Sequence, residues 1–224
     1  MRGLFPVRTL ISPQPHLEHL LPACAIKYSL TRPFKSPLEF APEAPSFQDL
    51  INDFKSLGGN HEYLMQEIED RVSDRWLNPG NAYSKRPEVW IEFLRKDGRM
   101  SGYTYNSRLR DQIPIIVEEL KRNPNTRQAI MTVWNKQQDL DNLGGIARVP
   151  CSLSYQFLVR RGVLDVIYVM RSCDVYTHLI YDIALTMGLN SYIAGAIGRE
   201  PGRFIHMIGS LHAYKKDYAK KGIF

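Results

Sequence analysis

The stretch from Ser152 to Leu189 constrains the fold more than any other part of this chain. Two strand-like runs, 152–160 and 163–171, flank the pair Arg161-Gly162. Two such runs separated by two residues, the second a glycine, predict a β-hairpin. The apolar run VYTHLIYDIALTMGL follows at once and reads as a buried helix. After a turn at GREPGR, the run FIHMIGSL predicts a last strand, and QAIMTVW at 128–134 predicts one upstream. The N-terminal half reads as helical. Ser46 opens SFQDLINDFKSL, with Asp49 in a capping-box position and Gly58-Gly59 as the stop. A second helix is expected from about 61 to 75, with Tyr63, Leu64, Ile68 and Val72 at helical spacing. A third starts near Asp111 and carries Ile113, Ile116, Val117 and Leu120 on one face, with Pro114 tolerated in the first turn. WLNPGNAYSKRP is a predicted loop. Residues 1–45 are proline-rich and read as an irregular arm over the body or across a subunit boundary. YKKDYAKKGIF reads as a solvated helix and tail. No repeat or linker divides the chain, so the expectation is one α+β domain, a mixed β-sheet packed by helices.

Composition narrows the functional classes. With 44% apolar and 23% charged residues, the chain has material for a core and lacks the signature of disorder. The net charge of +6 suits an anionic ligand, although a modest positive charge also serves solubility. Cys24, Cys151 and Cys173 make an odd count, with the spacing of neither a zinc site nor a disulfide framework. No metal is expected, and a reducing, cytoplasmic compartment is. No apolar stretch has the length of a membrane span. Pro6, Arg8, Pro13, Pro15 and Glu18 interrupt any apolar run that a secretory signal would need.

A cysteine after a proline says little by itself, because a buried structural cysteine is the ordinary case. Its neighbours change the reading: Pro150-Cys151, Gln156-Phe157, the turn at Gly162, Arg171-Ser172-x-Asp174, Tyr181-Asp182-Ile183 and His212-x-Tyr214. Together with NPNTRQAIMTVWN at 123–135, this set resembles the signature of the thymidylate synthase superfamily. The resemblance is specific over 100–220, weaker over 60–100, and does not extend to 1–45. It implies a thymidylate synthase-like α+β domain whose sheet face forms a homodimer. It also implies 5,10-methylenetetrahydrofolate as cosubstrate and a pyrimidine nucleoside monophosphate as substrate.

The residue types make chemical sense. Carbon 5 of a pyrimidine is a poor nucleophile, and a thiolate added at carbon 6 makes it a good one. Cys151 is the candidate nucleophile, with Arg171 as the neighbouring cation. Arg127 and Arg171 are candidate phosphate ligands, Arg127 reaching the partner's site as the resemblance implies. Gln128 stands where the family usually has a second arginine, and Arg8-Thr9 is only a faint counterpart of its N-terminal arginine loop. The resemblance further assigns Ser172 to the phosphate, His212 and Tyr214 to the sugar hydroxyl, and Asp174 and Trp90 to the folate. Glu67, in YLMQEIED, is the candidate acid/base, with Glu69 as the alternative, and Tyr105 would position water.

Asp182 stands where thymidylate synthases carry asparagine. Cytosine presents an acceptor at N3 and a donor at its amine, the reverse of uracil. A carboxyl group with a raised pKa can serve that edge. A helix-terminal aspartate capping amides is the plain alternative. Ser152, in place of a histidine, points the same way. Both resemble phage-type deoxycytidylate hydroxymethylases, which supply modified cytosine for viral DNA in the host cytoplasm. dCMP hydroxymethylation is therefore the leading expectation. A dCMP methyltransferase, a CMP hydroxymethylase and a dUMP-using enzyme remain open. So does a basic nucleic-acid-binding module, although the aromatics are dispersed and no basic stripe accompanies them. No specific nucleic acid partner is expected.

Overall fold

The computed structural model describes Ile11–Pro13 and residues 54–55, 58–145 and 147–214. Most of the arm, most of the helix expected from Ser46, and the tail beyond 214 lie outside the described residues, as does Cys24. Among the described residues, five strands form a mixed sheet in the order β1-β5-β4-β3-β2. These are β1 (Ile11–Pro13), β2 (Ile130–Thr132), β3 (Ser152–Arg160), β4 (Val163–Asp174) and β5 (Glu200–His212). β2, β3 and β4 pair antiparallel, and β4 pairs parallel with β5. The helices are α1 (His61–Val72), α2 (Pro87–Trp90), α3 (Tyr105–Leu109), α4 (Ile113–Arg122), α5 (Lys136–Asp141) and α6 (Leu179–Ala196). This is the expected α+β architecture.

The hairpin forms as read. Arg161 and Gly162 both have positive φ, 53° and 84°. That backbone matches the right-handed twist of the flanking strands, and glycine adopts it without strain. The turn sets a register in which Tyr155 faces Tyr168 and Phe157 faces Val166. These four side chains are fully buried. The alternate residues Ile167, Val169, Ile205 and Met207 are only half-buried, pair side by side across β4 and β5, and stand outside the core. The sheet therefore has a second apolar face that no described helix covers.

α6 is apolar on every side and is buried along most of its length. It supplies the crossover that a parallel β4–β5 pair requires. It begins at Leu179, later than expected, because Asp174 accepts from the backbone of Tyr176 (3.0 Å) and Thr177 (3.4 Å) in a preceding turn.

Several boundaries differ from expectation. GREPGR is largely strand, not turn: β5 starts at Glu200. Asp165 of β4 accepts from Arg203 N (2.7 Å) and Nε (2.9 Å). A Cβ at Gly202 would come within 2.4 Å of that carboxylate, so glycine is what lets the strands close. α1 stops at Val72 because Ser73 turns extended. Its start is capped by Asn60, whose side chain accepts from Tyr63 N; such a cap contributes ~1 kcal/mol. α4 starts at Ile113, and β2 keeps only three residues of the predicted run. The arm read as irregular contains β1, parallel to β5. The predicted loop after α1 is held by buried Asp70, which accepts from Ala82 N (2.8 Å) and Asn81 (3.1 Å).

Candidate active site

Cys151 ends the segment that leads into β3, and Arg171 lies opposite it on β4. The Arg171 N–H donates to the Cys151 carbonyl at 2.8 Å. The Arg171 side chain donates to the Pro150 (2.9 Å) and Val149 (3.4 Å) carbonyls and to Ser172 Oγ (3.0 Å). Ser172 in turn donates to Cys151 Sγ at 3.6 Å. Arg171 thus braces the backbone under the sulfur and reaches it through a hydroxyl. Sequence reasoning placed Ser172 on a phosphate; here it touches the sulfur.

Cys151 is partly exposed and opens onto a cavity of about 1030 Å³. Glu67, Trp90, Tyr105, Arg171, Ser172, Asp174, Asp182, His212 and Tyr214 all line it. Nine of the ten residues predicted beside Cys151 therefore converge on one space. Arg127 does not: it is exposed, outside the cavity of its own chain, and only its carbonyl is engaged, by Gln156 at 3.0 Å. Between the two glutamates the structure separates cleanly. Glu67 faces the cavity, while Glu69 is exposed and accepts from Gln66.

The inner end of the cavity is closely bonded. Asp182, in the first turn of α6, accepts from the Cys173 thiol at 3.4 Å and, among the described residues, caps no amide. Burial pushes its carboxyl up to about 6, against the pull of Arg71, the Cys173 bond and Arg86. Burial, then Asp182, holds the Cys173 thiol well above its usual range. Tyr105 Oη lies 2.7 Å from Ser152 Oγ, which also bonds the Tyr168 hydroxyl. Tyr168 stacks on Tyr155, with centroids 4.5 Å apart. Ser152, read only as a missing histidine, links two tyrosines beside Cys151.

Three arginines escaped sequence reasoning. Arg71 is buried, pairs with Glu67 at 2.9 Å and lies 3.8 Å over the Tyr105 ring. Its signal was available, because it stands four residues after Glu67 on one helix face. Arg86 lies 3.9 Å over Tyr181 and donates to the Thr177 carbonyl at 2.9 Å. Burial, then Arg86, lowers neighbouring His178 to about 4, so that its ring stays neutral. Arg148 lies over the rings of Tyr103 (4.3 Å) and Trp90 (4.6 Å), forming a cationic and aromatic wall.

The sequence matches the family model of thymidylate synthase over residues 59–221. The chain belongs to the thymidylate synthase family. The fold agrees with solved members. The thymidylate synthase of T4 phage is 26% identical, with a TM-score of 0.60 over 73% of this chain and 62% of that one. Thymidylate synthase A of Bacillus subtilis, 23% identical, shares the fold with a TM-score of 0.58 over 72% and 60%. This chain thus spans about three fifths of the length of either relative. The matched span of the family carries every cavity residue named above. Among the described residues no helix is long and apolar enough to cross a membrane.

Proposed function

We propose that this member of the thymidylate synthase family transfers a one-carbon unit to carbon 5 of a pyrimidine nucleotide, and that its substrate is dCMP. The observation that carries the reading is the convergence of Cys151, Glu67, Tyr105 and the buried Asp182 on one cavity. Cys151 Sγ adds to carbon 6, and the ring's electron pair moves toward N3. Asp182 gives its proton to N3 and accepts from the exocyclic amine, which stabilises the charge that develops there. A carboxyl that titrates at about 6 still holds a proton to give near that pH. Carbon 5 is then nucleophilic and forms the new carbon–carbon bond.

Methylenetetrahydrofolate would supply that carbon at the oxidation level of formaldehyde. The wall of Trp90, Phe93 and Tyr103 offers flat apolar surface for such a ring system, and Asp174 offers an acceptor. Glu67 and Tyr105 would then take the carbon 5 proton through water, and its electron pair would expel tetrahydrofolate to leave an exocyclic methylene on carbon 5. Water adding to that methylene returns the pair to the ring, and the sulfur leaves carbon 6 as the ring double bond reforms, which gives the hydroxymethyl product. The polar Glu67–Tyr105 side supports that outcome. His212 and Tyr214, at the mouth, suit the sugar hydroxyl. Arg171 suits the phosphate, aided by Arg127 from a second copy. The uncovered apolar face of the sheet supports such a dimer.

The test uses dCMP and dUMP tritiated at carbon 5, each with methylenetetrahydrofolate. Tritium release from dCMP and a product heavier by a hydroxymethyl group are expected, with Cys151→Ser reducing release to the uncatalysed rate. Release from dUMP alone overturns the choice of base. A methyl product overturns the role of water.

A further inference from the structure

Arg71 is the least expected group at the inner end of the cavity. Its side chain is 4% exposed, and an arginine does not shed its charge. A buried cation persists only where its donors are engaged. Arg71 Nε donates to Glu67 Oε1 at 2.9 Å, and Nη1 reaches the Tyr155 hydroxyl at 3.5 Å. The guanidinium plane lies on the Tyr105 ring at 3.8 Å. Three residues that line or back the site thus meet on one guanidinium, and Glu67 and Tyr105 belong to the proposed proton path.

We propose that Arg71 is a positioning residue that clamps one oxygen of Glu67, leaving the other to hold water at carbon 5, and fixes the Tyr105 ring beside it. The inference rests on the functional reading above and deepens it. An i, i+4 pair on α1 makes the clamp local: the helix sets the spacing, and the Tyr155 hydroxyl and the Tyr105 ring set the tilt. Lysine can supply the charge but not the planar fork, so charge and geometry are separable by substitution.

Arg71 has a second consequence through the groups around Asp182. Facing that carboxyl are Arg71 and Glu67 from α1, Arg86 from the segment before α2, Cys173 from β4, and the hydroxyls of Tyr105, Tyr155 and Tyr168. Arg71 is the chief influence opposing the effect of burial on Asp182. Without it the carboxyl keeps its proton to higher pH.

The experiment compares wild type, Arg71→Met, Arg71→Lys, Glu67→Gln and the double variant Glu67→Gln/Arg71→Met. Each is checked by a thermal melt and then assayed for tritium release from dCMP across pH. Arg71→Met is expected to lower kcat about 10²-fold with little change in KM, as misplacement of a catalytic group does. The double variant should be no slower than Glu67→Gln alone, because the clamp has nothing left to hold. The alkaline limb of kcat/KM, near pH 6 in wild type, should move upward in Arg71→Met. If that variant does not fold, Arg71→Lys carries the rate comparison: turnover should still fall, while the limb stays near that of wild type because the charge is kept. An active wild type whose Arg71 variants keep both rate and limb overturns the positioning role alone. A wild type that releases no tritium from dCMP or dUMP overturns the functional reading itself.

Discussion

The two ends of the cavity are built differently. At the inner end Asp182, Arg71 and Cys173 are buried, Glu67 and Tyr105 are half-buried, and each bonds a polar neighbour. The mouth is open: Tyr214 is 53% exposed, His212 is half-buried, and Arg127 lies outside altogether. A flat heterocycle asks for a fixed donor and acceptor pattern, which a dry, prearranged pocket supplies. A phosphate asks mainly for positive charge, which long side chains can bring from elsewhere, including a neighbouring copy. The inner end is thus built from residues of one chain, while in the proposed reading a second copy completes the mouth.

The sharpest way to break this contrast is Asp182→Asn. Asparagine presents the uracil-type pattern, so kcat/KM for dCMP should fall by about 10³-fold or more, as when a buried hydrogen-bond pattern is mismatched. Activity on dUMP should rise, and steady-state tritium release with each nucleotide reads both. Equal losses on the two bases would mean that the inner end does not choose between them.

Arg127→Ala tests the mouth. We expect KM for the nucleotide to rise about tenfold, roughly 1.4 kcal/mol, with kcat retained. Mixing Arg127→Ala with Cys151→Ser protein should restore low-KM activity, because one site of each mixed dimer would be intact. No restoration on mixing, with a monomer by light scattering, would confine the site to one chain.

A separate effect concerns stability. Asp182 titrates near 3.8 in an unfolded chain and at about 6 in the fold. Between these values the native state holds a proton that the unfolded chain has lost. The stabilisation that Asp182 contributes is therefore fullest below pH 4 and is lost as pH rises through 6. Asp182→Asn should flatten this dependence and gain up to ~3 kcal/mol at pH 8, read from urea melts at several pH values. An unchanged slope would mean that the inner end is wetter than its burial suggests.

The sequence made the mouth and the inner end legible to different degrees. Hairpin and buried helix were readable because each has a local cause, a two-residue turn and an apolar run, and the placing of Cys151 on the cavity followed from a motif. Glu67 over Glu69 was not, since both lie on one helix and only packing decides which faces inward. Arg71, Arg86 and Arg148 were missed because a buried arginine has the same letter as a solvated one. Their meaning comes from Tyr105, Tyr181, Tyr103 and Trp90, all distant in sequence. GREPGR failed for a related reason: Gly202 serves a contact with Asp165, not a turn.

The tip of the β3–β4 hairpin does not line the cavity, yet it bears on what stands at its base. The turn at Arg161 and Gly162 sets the ladder down to Ser154 opposite Val169, and a one-residue shift between Ser152 and Ser154 then brings Cys151 opposite Arg171. A slip of one position there would send Ser172 to the opposite side of the sheet and leave the sulfur with a different neighbour. Variation at Gly162 should therefore be felt as lost turnover before it is felt as lost folding.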